Sequence, residues 1–143
     1  IHVLHTILRV GLPGKVIDNQ ASGGFACGVT STGLLTGFAV KKDGSVWNKV
    51  NNIVLNKEEE LYEYQKIVDK AKNTAKKFQY SRLLGIDLCI DENSNVRLIE
   101  VNNVNNEINF YQMCNGPLFG NYTSEILEFT SKRKKNYCFD FDV

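Results

Sequence analysis

Two acidic residues stand inside apolar stretches of this sequence, in the segment GIDLCIDENSNVRLIEVNN at positions 85–103. Asp87 and Glu100 each have an apolar residue on either side, and Asn102 follows the second acid by two places. Burial of an unpaired charge is expensive, so this placement needs a reason. If the two apolar stretches are strands joined by a turn at DENSN, the two acids lie on adjacent strands, and Glu100 and Asn102 share one sheet face. Three oxygen-bearing side chains then converge.

Two like charges on paired strands repel each other unless a cation lies between them. The three side chains offer carboxylate and amide oxygens without His or Cys, which suits Mg²⁺ or Mn²⁺. Mg²⁺ commonly takes only one or two carboxylates and completes its shell with water and nucleotide phosphates. The pattern therefore predicts a metal site that implies a phosphate-bearing ligand.

A second interpretation places the same acids on the solvent face of a half-exposed hairpin. The apolar neighbours Ile86, Leu88, Ile99 and Val101 would then point inward. Strict alternation of apolar and polar residues fits both interpretations.

The elements that must position these residues can be read from the rest of the chain. Short β-rich runs separated by Gly, Asn and Asp fill the region from His2 to Val46 and predict antiparallel strands and hairpins. Residues 57–80 lack Gly and Pro and repeat apolar residues at three-and-four spacing, which predicts an amphipathic helix with Asn56 as its N-cap and acids 58–60 in its first turn. Helical patterns return at 107–114 and 122–135, and the final YCFDFDV fits a strand or an ordered tail. We predict an α+β fold, with a mostly antiparallel sheet and packed helices.

Composition excludes several classes of function. The formal net charge of +1 gives no global field to attract nucleic acid or an anionic membrane. No stretch reaches the roughly 20 apolar residues of a membrane span. The four cysteines form no C-x-x-C pair, which favours reduced thiols and a cytoplasmic setting over disulfides or zinc. Because the first residue is Ile1 and a strand pattern begins at once, we expect the chain to be the later part of a longer protein.

Two segments of the chain together resemble one known family. GIDLCIDENSNVRLIEVNN is similar to the metal-binding segment of ATP-grasp enzymes, where an Asp on one strand is followed after a hairpin by E-x-N on the next. RVGLPGKVIDNQASGG, residues 9–24, resembles the stretch of ATP-grasp ligases in which an Arg precedes an Asn and a Gly-Gly pair. The V-I-D-N-x-x-S-G-G pattern followed by a strand and STG is most like the sugar-transfer associated branch, and less like a relative implicated in teichuronopeptide synthesis.

The resemblance implies roles for particular residues. Asp87, Glu100 and Asn102 would be the Mg²⁺ or Mn²⁺ ligands, with Glu100 able to bridge two ions. Arg9 would face the transferring phosphate or the substrate carboxylate and, with Asp87 and Glu100, would contact the ATP cofactor. The catalytic loop over the reacting atoms would contain Asn19, Gly23 and Gly24. Gln112, at a distance after E-V-N-N, also matches the branch.

The implied fold is the C-terminal lobe of an ATP-grasp domain, covering residues 1–143 as one domain without the N-terminal nucleotide lobe. The implied activity is ATP-dependent ligation: a carboxylate substrate becomes an acyl phosphate, and an amine or similar nucleophile then takes the acyl group. A nucleophile linked to a sugar is one candidate for this acceptor. We expect a place in cell-surface polysaccharide biosynthesis, no nucleic-acid partner, little activity of the lobe alone and a tendency to form homo-oligomers. The alternatives are a non-catalytic nucleotide- or metal-binding module and a structural β-rich interaction domain.

Overall fold

A four-stranded antiparallel sheet forms the centre of the molecule in a computed structural model, which describes residues 1–11, 23–50, 52–104 and 106–132. The predictions for Asn19 and for YCFDFDV lie outside the described residues. The sheet has the order β1-β2-β3-β4. Its strands are β1 (Thr6–Val10), β2 (Phe25–Val29), β3 (Leu35–Val40) and β4 (Val46–Trp47).

Strand β2 is buried along its whole length because helices cover both faces of the sheet. On one face Phe25, Cys27 and Val29 form a cluster with Tyr64 and Val68 of helix α1 (Tyr64–Ala75). The other face presents a second cluster, whose buried members come from β2, β3 and helix α2 (Ile108–Asn115): Ala26, Val40, Phe110 and Cys114. Burial of a Phe or Val side chain contributes roughly 1.5–3 kcal/mol, so the two clusters fix the positions of both helices on the sheet.

Helix α1 is shorter than the predicted helix over residues 57–80, and Asn56 does not cap it. The Asn56 side-chain oxygen instead accepts a hydrogen bond from the Glu58 N–H at 3.0 Å, in a turn. The next residues lie beside β3, where the Leu35 N–H donates to the Glu59 carbonyl at 2.9 Å and Leu61 pairs with the residues before β3. Because this pairing holds residues 59–61 extended, the helix begins only after Glu63, whose φ of 55° is left-handed. The predicted first turn at 58–60 was therefore wrong.

Two further hairpins complete the strands of the described residues. The sequence did not predict β5 (Lys49–Val50) and β6 (Ile53–Val54), which pair in a small hairpin of their own. The predicted hairpin around DENSN is present as β7 (Gly85–Ile90) and β8 (Val96–Asn102). The antiparallel α+β class is thus confirmed, although the strands form three separate sheets.

The last described elements are helical, as predicted. Helix α2 falls where residues 107–114 predicted one, and a 3₁₀ turn, Gly120–Tyr122, leads into helix α3 (Thr123–Ser131). The Arg82 guanidinium lies 4.7 Å from the centre of the Phe129 ring, which holds α3 close to the chain before β7. Within the described ranges, none of the helices is long and apolar enough to cross a membrane.

Candidate functional site

The turn that joins β7 to β8 is held by one carboxylate. Asp91 Oδ1 accepts the backbone N–H groups of Asn93 at 3.0 Å and Asn95 at 2.8 Å, and its Oδ2 accepts the Arg97 Nε–H at 2.8 Å. These hydrogen bonds, the Asn95 backbone first, lower the pKa of Asp91 to about 2. Ser94 takes a φ of 59°, which turns the chain back. The turn therefore fixes the register of the two strands.

The sequence predicted that the two acids lie on adjacent strands, and the register places Asp87 directly opposite Glu100. Strand β8 has 7 residues against 6 in β7, and the register shifts between Asp87 and Leu88. Since Leu88 pairs with Leu98, Ile99 is the extra residue of a β-bulge. Bulges re-aim the side chains beside them, and this one lies next to both acids.

The bulge changes which side chains face solvent. Ile99 is 63% exposed and Leu98 is 44% exposed, whereas the Asp87 side chain is only 23% exposed. Both interpretations of the sequence assumed strict alternation. The solvent-face interpretation placed both acids outward and Ile99 inward. In the structure Glu100 is exposed, as that interpretation required, whereas Asp87 is partly buried and Ile99 is exposed.

Asp87 is compensated by Arg9, which comes from the central sheet. Arg9 Nη1 donates to Asp87 Oδ2 at 2.9 Å, and the two side chains are 28% and 23% exposed. The two residues are 78 positions apart in the chain, so the pair joins β1 to the β7–β8 hairpin. A half-buried guanidinium and carboxylate interact more strongly than a solvated pair because water screens them less.

Glu100 and Asn102 lie on the open side of the hairpin. Asn102 Nδ2 donates to Glu100 Oε1 at 2.8 Å, and both residues are exposed. Two carboxylates and one amide, all hard oxygen donors, fit Mg²⁺ or Mn²⁺, and the exposure leaves room for water and phosphate oxygens in the shell. In the described part of the chain, no group of three or more His, Cys, Asp or Glu side chains is placed to hold a metal ion.

Tyr111 of α2 is a neighbour of this site to which the sequence assigned no role. Its pKa is raised by burial first and then by the Asp87 carboxylate, while Arg9 acts in the opposite direction. Both charges therefore lie within electrostatic range of the phenol. Phe110 and Cys114, four residues apart, mark the buried face of α2. Tyr111 follows Phe110, and this position beside the buried face was the signal in the sequence that could have pointed to Tyr111.

The other residues implicated by the sequence are dispersed or fall outside the described ranges. Asn19 lies outside them. Gly23 has a left-handed φ of 88°, and Gly24 is buried directly before β2. Gln112 accepts the Leu118 N–H at 3.2 Å through its side-chain oxygen, so it shapes the loop after α2. The structure thus pairs Arg9 with Asp87 and Asn102 with Glu100, and the strand register places the two pairs on neighbouring strands.

The described fold and this group of side chains agree with a comparison to known protein families, in which the sugar-transfer associated ATP-grasp family matches residues 1–126. The chain belongs to the sugar-transfer associated ATP-grasp family. Comparison with curated proteins found no match, and comparison with solved structures found none either. The match includes both segments that carry the resemblance, residues 9–24 and 85–103.

Membership of the sugar-transfer associated ATP-grasp family places the chain in an ATP-dependent, ligase-type superfamily. ATP-grasp proteins generally use ATP and Mg²⁺. The oxygen donors on β7 and β8 fit such an ion by their chemical type, and Arg9 adds a positive charge beside them. The described cysteines Cys27, Cys89 and Cys114 are free.

Proposed function

We propose that this protein is part of an ATP-grasp ligase that activates a small-molecule carboxylate as an acyl phosphate and passes the acyl group to an amine or similar nucleophile. The observation that carries the proposal is the Arg9–Asp87 ion pair, in which Asp87 lies opposite Glu100 in the strand register. Family membership supplies the ATP-dependent, ligase-type class, and the charges at this hairpin suit phosphoryl transfer. A role in making or decorating cell-surface polysaccharide, in the cytoplasm, belongs to the same proposal.

In the first step a carboxylate oxygen of the substrate attacks the γ-phosphorus of ATP, and the bond to the β-phosphate oxygen breaks to release ADP. Asp87, Glu100 and Asn102 would hold Mg²⁺, which when bound neutralises charge on the phosphates. In the second step the nucleophile attacks the acyl carbon, inorganic phosphate leaves, and the nucleophile loses a proton to solvent or a base. Asp87 and Glu100 would contribute by holding the cation to which the negative phosphate oxygens bind.

Arg9 has a separate part in this scheme. Its guanidinium already lies beside Asp87, so a phosphate held at the hairpin meets a positive charge that is in position before the substrate arrives. Preorganised charge of this kind stabilises the transferring phosphoryl group without reorganisation during the reaction. The backbone N–H groups at Gly23 and Gly24 would approach the anion closely because no Cβ intervenes, and Asn19 would belong to the same loop.

We further propose that residues 1–143 contribute the C-terminal lobe and that residues outside this chain complete the nucleotide site. The test therefore uses the full-length protein. Calorimetry with a non-hydrolysable ATP analogue and Mn²⁺ would compare the wild-type protein with Glu100→Gln. Removing a metal-binding carboxylate should weaken binding roughly tenfold or more, because the amide cannot neutralise the ion. The matched control is Glu92→Gln, an exposed acid in the turn of the same hairpin.

Equal binding by wild-type protein and Glu100→Gln would reject the proposed site. Absence of binding by the wild-type protein would favour the structural interaction domain. Metal-dependent binding without ADP release in the presence of any carboxylate would identify the non-catalytic nucleotide-binding module.

A further inference from the structure

One face of the β7–β8 hairpin carries the three oxygen-bearing side chains and a single glycine. Gly85 pairs with Asn102 in the strand register. Two residues further along β7, Asp87 pairs with Glu100. Side chains two apart on a strand, and those of directly paired residues, point to the same face of a sheet. Gly85 is therefore the fourth position of this face, and it has no side chain of its own.

Asn106, from the segment between β8 and α2, fills the gap at Gly85. A Cβ added at Gly85 would lie 2.6 Å from Asn106 Oδ1 and 3.6 Å from the Asn102 Cβ. The Asn106 oxygen thus occupies the place that a side chain of residue 85 would take. It lies on the same face as the Asn102 carboxamide, which donates to Glu100 Oε1 at 2.8 Å.

The Asn106 carboxamide has no structural partner in the described part of the chain. An asparagine just before a helix commonly caps it, but α2 has no side-chain hydrogen bond at its N-terminal end. No hydrogen bond joins the Asn106 side chain to any residue that the structure describes. Asn106 is half-buried, and neither polar atom of its side chain is fully enclosed, so both keep accessible surface. A ligand on this face would supply the missing hydrogen bond or ion contact.

A cation at this hairpin needs neutral oxygen donors as well as carboxylates. The hairpin face offers only two carboxylates, those of Asp87 and Glu100. Mg²⁺ takes an octahedral shell of oxygens, and carbonyl-type oxygens suit it as carboxylates do. An amide oxygen adds a donor without placing a third negative charge beside the two acids. Asn106 Oδ1 offers such a donor at the position that Gly85 leaves open.

We propose that Asn106 is a further residue of the cation site, whose side-chain oxygen binds the ion directly or through one water, and that Gly85 makes room for it. The inference rests on the proposed function, because the ion is the Mg²⁺ or Mn²⁺ of the nucleotide site. Asn106 lies four residues after Asn102, outside the E-x-N pattern that the family resemblance implicates. Gly85 then acts on the ion only through Asn106.

Calorimetry with Mn²⁺ and the non-hydrolysable ATP analogue on the full-length protein tests the role of Asn106. Asn106→Ala should weaken Mn²⁺ binding about tenfold, as the loss of a residue that supports a bound metal commonly does. Asn106→Asp should bind Mn²⁺ at least as tightly as wild type, because it keeps the oxygen and adds a negative charge. The matched control is Asn103→Ala, which removes an exposed amide directly after β8 and should leave binding unchanged.

A double-mutant cycle tests the role of Gly85. Gly85→Ala should weaken Mn²⁺ binding as much as Asn106→Ala does, because the added methyl group displaces the Asn106 oxygen. In an Asn106→Ala background the same methyl group meets no atom nearer than the Asn102 Cβ at 3.6 Å. The double variant should therefore bind Mn²⁺ as the Asn106→Ala variant does, without a further loss.

Wild-type binding by Asn106→Ala together with weakened binding by Glu100→Gln would overturn this inference and leave the proposed function intact. Equal losses in Asn106→Asp and Asn106→Ala would also overturn it, because the residue would then only support the fold. Additive losses in the double-mutant cycle would contradict the link between Gly85 and Asn106. Wild-type binding by both Asn106→Ala and Glu100→Gln would reject the cation site and both proposals with it.

Discussion

At the scale of single residues, the charge on Asp87 is the centre of the site. The sequence could predict that Asp87 and Glu100 lie on adjacent strands, because a short turn joins two β-rich runs. It could not predict that Arg9 contacts Asp87, since that ion pair depends on how the hairpin packs against a sheet formed 78 residues earlier. Nor could alternation predict the bulge at Ile99, whose apolar side chain is 63% exposed.

A double-mutant cycle would measure the Arg9–Asp87 interaction. With metal removed by EDTA, Arg9→Met, Asp87→Asn and the double variant should give a coupling free energy of about 1–2 kcal/mol, between the values for exposed and buried pairs. Urea unfolding followed by circular dichroism provides each free energy of unfolding.

The matched control for that cycle is the Lys42–Glu107 pair, whose side chains are 60% and 55% exposed. Its coupling should stay below about 0.5 kcal/mol because solvent and salt screen it. If both cycles gave the same small coupling free energy, partial burial would not strengthen the Arg9–Asp87 ion pair.

At the scale of elements, the position of α2 depends on a glycine in the neighbouring strand. A Cβ added at Gly28 of β2 would come closer than 3.0 Å to the Cys114 carbonyl and the Asn115 side chain, at the end of α2. Asn115 also donates to the Thr6 carbonyl at 2.9 Å, which ties the same helix end to β1. The close contact between strand and helix therefore has no room for a side chain.

Gly28→Ala should lower the free energy of unfolding by about 2–3 kcal/mol, because the helix must shift or the strand must bend. Gly44→Ala is the control, because Gly44 has a φ of 83° but a Cβ added there would have no atom within 4 Å. The free energy of unfolding should therefore fall by only about 1 kcal/mol, the cost of a left-handed backbone for Ala. Urea unfolding of both variants decides the point, and equal losses would mean that α2 does not lie against Gly28.

The elements also show where prediction from sequence works. The hairpin and the later helices follow from local patterns, and the structure has them close to their expected bounds. The start of α1 does not follow from the local pattern, because residues 59–61 have a helical pattern in the sequence and yet pair with the chain beside β3. A partner far along the chain overrides local helix propensity there. The hairpin at 49–54 was missed because two-residue strands leave no measurable alternation.

At the scale of the whole molecule, coverage of both faces of the sheet should protect its interior thiols. Cys89 is exposed, whereas Cys27 and Cys114 are buried. At pH 8 a thiol whose pKa is about 11 is ionised in about one molecule in a thousand, so Cys114 should resist alkylation for this reason as well as through burial. The core thiols should therefore report on opening of the fold as a whole.

Iodoacetamide labelling at pH 8, read by peptide mass spectrometry in a Cys138→Ser background, tests this expectation. Cys89 should label in native protein, and Cys27 and Cys114 only in denaturant. In a Cys89→Ser variant native labelling should disappear. Labelling of Cys114 at the rate of Cys89 would show that α2 does not cover the sheet.

Helix α2 acts at two places at once: Tyr111 lies in electrostatic range of Asp87 and Arg9, and Asn115 donates to the Thr6 carbonyl at the other end of β1. Thermodynamic linkage then requires reciprocity. Whatever free energy a substitution at Asn115 transmits to the Arg9–Asp87 pair, a substitution in that pair transmits to Asn115. One double-mutant cycle therefore measures the coupling in both directions.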